Sequence, residues 1–330
     1  MAGNPSKQGG TLTTFPQVSE QKWARNGRSP GDRPGAAQVD AGEETLLRVH
    51  CTVLIYGIAP ISVGLMSTAE LDGISVAYDD LGSGLPVVLV HGHPFNRSMW
   101  RPQAERFSRE GYRVITADLR GYGETTVVPG KTGLDVFAAD IARLADHLGL
   151  GRFVLGGLSM GGQIVMEFHR TYPDRVAGLL LADTSPQEET EDGRRVRNEM
   201  ADRVLAEGLG PYAEEVLTKM VSPENVRTMP DVAAHVLEMM RTTPKEGAAA
   251  ALRGRAERPD YRNSLTQVRV PSLVVVGTED EFTPVSDAEL MHDLIPGSTL
   301  AVIEGAAHMP NLEREAEFDA VFARFLKEIG

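Results

Sequence analysis

The chain reads as an α/β protein: a mostly parallel central sheet with helices on both faces and one helical insertion. Three observations predict this. From Ile74 onward, short apolar runs of strand length alternate with helical patterns. A strand, an abrupt glycine-rich turn and a helix follow one another over 153–168. Between Thr184 and Val270 the strand signals stop while the helical ones continue.

Taken in order, residues 1–45 are rich in Gly, Pro, Ser, Gln and charge and carry no sustained period, so they are expected to be disordered. The apolar stretch 46–65 has the composition of a membrane anchor or of the core of an export signal, yet it is interrupted by Arg48, His50 and Pro60. Because Met66 opens what looks like the natural start of a compact folded unit, 1–65 is read first as an extension without a folded role, and second as an exporting or anchoring segment. The expected division is 66–184 for the first part of the core, 185–268 for the helical insertion and 269–330 for the last part.

Within the core, alternation at 74–78 predicts a strand, Leu81-Gly-Ser-Gly a hairpin turn, and the continuous apolar run 86–90 a central strand. Further strands are expected at 112–117, 153–158, 176–181, 272–276 and 299–303. Leu134, Phe137, Ile141, Leu144 and Leu148 form one helical stripe; Phe318, Val321, Phe322 and Phe325 form another. In the insertion, helices are expected over 196–206, 212–220 and 232–240, and Met200, Met220, Met229, Met239 and Met240 suit a lid over an apolar pocket, most of them as ordinary helix-to-core packing and one or two facing substrate.

Bulk properties exclude several classes. The chain has 330 residues, 42% of them hydrophobic, enough for one large domain with an insertion. Its net charge of −13 would repel nucleic acid and anionic membranes. The acidity belongs to the part after residue 65, which holds 27 basic against 41 acidic side chains. A single cysteine, Cys51, rules out an internal disulfide framework and a cysteine metal site; it fits a reducing, cytoplasmic setting, and scarcity of cysteine fits a secreted protein too.

The chemistry centres on Ser159 in Gly157-Leu158-Ser159-Met160-Gly161. Taken alone, this G-x-S-x-G pattern also fits a glycine-rich phosphate turn; with a strand before it and a helix after it, it fits a nucleophile elbow, in which the glycines avoid a clash and the Met160 N–H faces developing negative charge. A serine hydroxyl needs a base. His308 follows the last expected strand and precedes the last helix, whereas His147, His169, His235 and His292 sit on helices. An imidazole needs an orienting carboxylate. Asp280 follows the strand ending at Gly277; Glu279 and Glu281 are rivals in sequence and Asp183 in space. A second oxyanion donor is expected from the backbone of His93 in Val90-His-Gly-His-Pro-Phe95, with Phe95 as alternative. Two histidines, His91 and His93, without a third ligand argue against a metal.

The motifs HGHPF at 91–95, DLRGYGET at 118–125, GLSMGG at 157–162, GTEDEFTP at 277–284 and GAAHMPNLE at 305–313, in this order, resemble the α/β-hydrolase family, specifically its compact cofactor-free esterases, perhydrolases and 3-oxoadipate enol-lactonases. The resemblance covers the chain from Met66 onward. It implies the α/β-hydrolase fold, no cofactor, Ser159 as nucleophile, His308 as general base, Asp280 as its orienter, and Met160 with His93 as oxyanion hole. Asp118, Arg120, Gly121 and Gly123 would buttress the site, with Thr125 where relatives often carry serine. Serine at 159 speaks against the aspartate-dependent dehalogenases and epoxide hydrolases of this fold.

The expected activity is hydrolysis of a small carboxylic ester or lactone through an acyl-enzyme. Perhydrolysis, with peroxide as acyl acceptor, is one alternative; a non-catalytic ligand receptor on the same scaffold is another. An enol-lactonase would want a cation for the substrate's carboxylate, and Arg241, Arg253 and Arg255 are candidates. Oligomeric state leaves no signal in the sequence.

Overall fold

The computed structural model describes residues 67–330. The expectations for 1–65, including the apolar stretch 46–65, lie outside the described residues. Among the described residues no helix is long and apolar enough to cross a membrane.

Eight strands form one sheet in the order β1-β2-β4-β3-β5-β6-β7-β8. They are β1 (Ser67–Leu71), β2 (Ile74–Gly82), β3 (Leu85–Val90), β4 (Tyr112–Ala117), β5 (Phe153–Leu158), β6 (Val176–Ala182), β7 (Ser272–Gly277) and β8 (Thr299–Ile303). β1 and β2 are antiparallel to their neighbours, and β4 through β8 continue the parallel set with β3. β1 carries no strong apolar run, only the alternation of an edge strand. It is tied to β2 by a tight turn at Asp72-Gly73, both with positive φ.

The turn at 81–84 departs from its expected role. It connects β2 to β3, yet β4 lies between those two strands, so no hairpin forms. Gly82 and Gly84 have φ of 78° and 111°, and a Cβ on Gly84 would lie 2.1 Å from the Gly111 carbonyl oxygen. The glycines let the chain pass over the start of β4 at backbone contact.

Strand alternation splits the core in two. Val88, Val90, Ile115, Leu155, Leu179, Leu181, Val274 and Val276 face one layer, against α2 (Leu134–His147), α3 (Met160–Thr171) and α10 (Val285–Leu294). Val87, Leu89, Val114, Val154, Leu180, Leu273 and Val275 face the other, against α1 (Arg101–Arg109) and α12 (Glu315–Ile329). The fully buried run of β5 is what a strand covered on both faces requires.

Between β6 and β7 run α4 (Glu191–Glu207), α5 (Gly210–Met220), α6 (Pro223–Thr228), α7 (Pro230–Thr242), α8 (Lys245–Arg255) and α9 (Arg262–Leu265). α8 approaches the loop after β4 without intervening side chains: a Cβ on Gly247 would lie 1.9 Å from the Gly121 carbonyl oxygen. The neighbours there are backbone atoms of Gly121 and cannot rotate away. Gly247→Ala is therefore expected to lower the unfolding free energy by about 1–3 kcal/mol, read by urea denaturation; a loss under about 0.5 kcal/mol would mean that α8 shifts freely.

Candidate active site

Ser159 ends the run of β5 and precedes the first residue of α3, with φ 58° and ψ −119°. A non-glycine residue at positive φ is uncommon and strained, and the surroundings must hold it. They do so by backbone contact. A Cβ on Gly157 would lie 2.3 Å from the Gly161 carbonyl, and one on Gly161 2.3 Å from the Val90 oxygen. The Ser159 amide donates to Ala182 O at 2.9 Å, and the Thr184 hydroxyl donates to Ser159 O at 2.8 Å.

The loop after β3 presses against this turn: a Cβ on Gly92 would lie 3.2 Å from Ser159 Cβ. Neither the His93 nor the Met160 amide has a backbone acceptor among the described residues, whereas the Phe95 amide donates to Gly92 O at 3.0 Å and is occupied. His91 is buried and acts within the loop. The Leu119 amide donates to its Nε2 at 2.9 Å, which leaves Nδ1 to donate to Gly92 O at 2.8 Å. Burial pushes its pKa down, so it stays neutral with both ring nitrogens engaged.

His308 lies on the loop between β8 and α11 (Pro310–Glu313), and Asp280 on the loop after β7. They meet through Nδ1 and Oδ2 at 2.8 Å. Asp280 also accepts from the Phe282 amide at 2.8 Å, the Thr283 amide at 3.2 Å and the Thr283 hydroxyl at 2.5 Å. Burial pulls the Asp280 pKa up, but the His308 ring and these donors bring it below the ordinary value. An ionised Asp280 only accepts, so His308 carries its proton on Nδ1 and presents Nε2 as a base. Glu279 and Glu281 are exposed, and Glu281 pairs with Lys219 at 3.0 Å.

Asp183 also comes close. At φ 44° it is fully buried after β6, and its Oδ1 accepts from the Gly277 amide at 3.0 Å. Burial first, and the Asp280 charge second, push its pKa well up, which favours its protonated form. Asp183, Asp280 and His308 are the one grouping among the described residues whose ligand atoms lie within 4.8 Å of one another. Hydrogen bonds already occupy Asp280 and one oxygen of Asp183, and an ion there would have to displace them.

Ser159, His308 and His93 line a cavity of about 390 Å³, with Phe282 at its wall packing edge-on to His308. The expectation of an apolar pocket is corrected here. Of the five insertion methionines only Met220 lines the cavity; Gln163, Gln187, Glu189, Arg197, Arg255 and Arg258 make it polar. These side chains come from α3, α4, the end of α8 and two loops, so no local sequence period announces them. Of the three candidate cations, Arg241 pairs with Glu214 and Arg253 with Asp202 at 2.6 Å, both on the outside. Arg255 alone is buried.

The buttress residues form a rigid floor. Asp118 accepts from the Arg97 amide at 2.8 Å, the Arg97 guanidinium and the Glu124 amide at 2.9 Å. Arg120 is held by both oxygens of Asp140, and Thr125 accepts from the Ala77 amide. Sequence reasoning missed Glu313. It accepts from the Ala307 and Met309 amides on either side of His308, and from the Ser222 amide and Asn225 side chain of the α6 region. Its place in the helix four residues after Met309 was the only signal.

The family model described as alpha/beta hydrolase fold matches residues 86–315. A thermophilic esterase from Thermogutta terrifontis, solved with malate bound, superposes with TM-score 0.77 at 41% identity over 80% of this chain and 97% of that one. The chain is 29% identical to 3-oxoadipate enol-lactonase 1 of Acinetobacter baylyi over 71% of its length and 85% of that protein. It is 30% identical to a non-heme chloroperoxidase of Streptomyces lividans over 74% of its length and 93% of that protein. The chain belongs to the α/β-hydrolase family.

The protonated Asp183 makes a pH prediction. The native state keeps a proton that the unfolded chain releases near the ordinary value of 3.8, so this group lowers stability as the pH rises from there through the raised native value. Asp183→Asn removes that contribution, and denaturant midpoints measured across the range should fall less steeply with pH than the parent's. An identical slope would mean that Asp183 is ionised in the native state.

Proposed function

We propose that the chain is a serine hydrolase that cleaves small carboxylic esters or lactones. The observation that carries this is one cavity containing both the strained Ser159 and a histidine, His308, whose other nitrogen is committed to Asp280. Ser159 Oγ attacks the carbonyl carbon while His308 Nε2 takes its proton. The oxyanion that forms is held by the Met160 and His93 amides, the former at the positive end of α3. Collapse expels the alkoxide, to which His308 returns the proton. Water, deprotonated by His308, then attacks the acyl-enzyme, and the acid leaves as His308 returns the proton to Ser159 Oγ. Asp280 holds the imidazole tautomer and the imidazolium through both halves.

Residues 185–268 act as the lid: Gln187, Glu189, Arg197, Tyr212, Met220, Arg255 and Arg258 all come from this segment and line the cavity. The esterase and enol-lactonase likenesses support ester or lactone chemistry. The chloroperoxidase likeness supports a second reading, in which hydrogen peroxide replaces water as the acyl acceptor and a peracid is released.

Two measurements test the assignment. On a panel of p-nitrophenyl esters and lactones, Ser159→Ala should lose on the order of a thousandfold or more in kcat, and Asp280→Asn on the order of 10³–10⁴-fold. A fluorophosphonate probe should label the parent at Ser159. An unlabelled, inactive but folded parent would leave the scaffold as a binding protein; peracid formation exceeding hydrolysis in peroxide would favour the second reading.

A further inference from the structure

Arg255, the last residue of α8, is only 9% exposed, yet no carboxylate among the described residues pairs with it. Its single hydrogen bond there runs from Nε to Gln163 Oε1 at 3.2 Å, a neutral acceptor on α3 whose own amide donates to Ser159 O. The two Nη atoms have no partner among the described residues, and they are not among the occluded polar atoms that lack one. They are therefore open to the cavity that Arg255 lines with Ser159 and His308.

The charges around it do not compensate. Arg197 and Arg258 both bond to the same oxygen of Glu189, Arg258 at 2.7 Å. Three guanidinium groups thus face one carboxylate. The other acids of the wall are turned to different partners: Glu188 is exposed and lies 3.8 Å from Arg194, and Asp287 accepts from Gln187 at 3.0 Å. By contrast the solvent-side arginines of the same segment, Arg241 and Arg253, each have an acid of their own.

An unpaired charge taken from water is strongly unfavourable, and a guanidinium does not escape by losing its proton. Burial and the two neighbouring arginines oppose the Arg255 charge, and the carboxylate whose field reaches it, Glu189, is already bonded by those two arginines. An anion in the cavity neutralises it. A planar fork with two open nitrogens matches a carboxylate in bidentate geometry.

We propose that Arg255, with Arg197 and Arg258 beside it, is an anion subsite that seats a free carboxylate of the substrate, so that the preferred substrates are half-esters of dicarboxylic acids or lactones bearing a carboxylate. This rests on the ester-hydrolase reading of Ser159 and adds the substrate class to it. Gln163 fixes the fork relative to the serine, and the cavity spans the distance between the two.

The test uses the full chain and two esters of matched length, monomethyl adipate and methyl hexanoate, followed by pH-stat titration. The parent should favour the half-ester, and Arg255→Gln should lower the half-ester to neutral-ester ratio of kcat/KM on the order of 30-fold or more, with Arg255→Lys in between. An equal loss on both esters would overturn the subsite and leave the hydrolase reading standing. Thermal unfolding supplies a readout free of catalysis: adipate should raise the Tm of Ser159→Ala but not of the Ser159→Ala, Arg255→Gln double variant. That shift, alongside a folded parent that hydrolyses neither ester, would keep the subsite and remove the hydrolase reading. A shift by inorganic phosphate as large as that by adipate would overturn the carboxylate assignment in favour of a general anion site.

Discussion

The structure depends on one close backbone approach, where Gly157 meets Gly161 and Gly161 meets the end of β3. No side chain larger than hydrogen fits at either point, and Ser159 is held between them at a φ that the surroundings must enforce. Because β3 and β5 are adjacent and parallel, the loops that leave them emerge side by side. The loop that carries His93 and the turn that carries Met160 are brought together by this adjacency. The N–H groups at the start of α3 have no acceptor inside the helix.

The proposed base and its partner are held differently. Asp280 has the His308 ring beside it and further donors from its own turn, which together hold its pKa below the ordinary value despite burial. Asp183, one strand over, receives only the Gly277 amide and is pushed to the neutral form by burial and by Asp280. Two carboxylates of similar depth are thereby shifted in opposite directions, one by the His308 ring and its donors, the other by burial and the neighbouring charge. His93 is also kept neutral, by burial and by the field of Arg255 and Arg197, while its Nδ1 contacts the Tyr122 hydroxyl at 2.7 Å.

How much was legible in the sequence follows from what is local. Strands β3 to β8 are apolar runs bounded by turn residues, and they could be read one at a time. β1 could not, because STAEL lies at the sheet edge with alternate residues in water; its Asp72-Gly73 turn was the available clue. The Gly-Ser-Gly turn was legible as a turn but not as a crossing over β4, since strand order is a property of the whole sheet. Ser159, Asp280 and His308 sit next to strand ends and could be named from order alone, and the structure brings the last two into contact. The polar cavity was not legible. Arg197 and Arg255 are far apart in sequence and meet through packing of α4 on α8, and the insertion's methionines, visible in composition, mostly face inward elsewhere.

Glu313 joins two regions that the chain order keeps apart. One oxygen receives the amides that bracket His308, and the other receives Ser222 and Asn225 of the α6 region. Burial raises the Glu313 pKa even against these four donors, so each of them matters to keeping the charge satisfied. Displacing α6 strips one oxygen, and displacing the His308 loop strips the other. The α6 region, which follows the cavity-lining Met220, and the loop that carries the imidazole therefore share a single anchoring point, so that α6 cannot move away without loosening what holds His308.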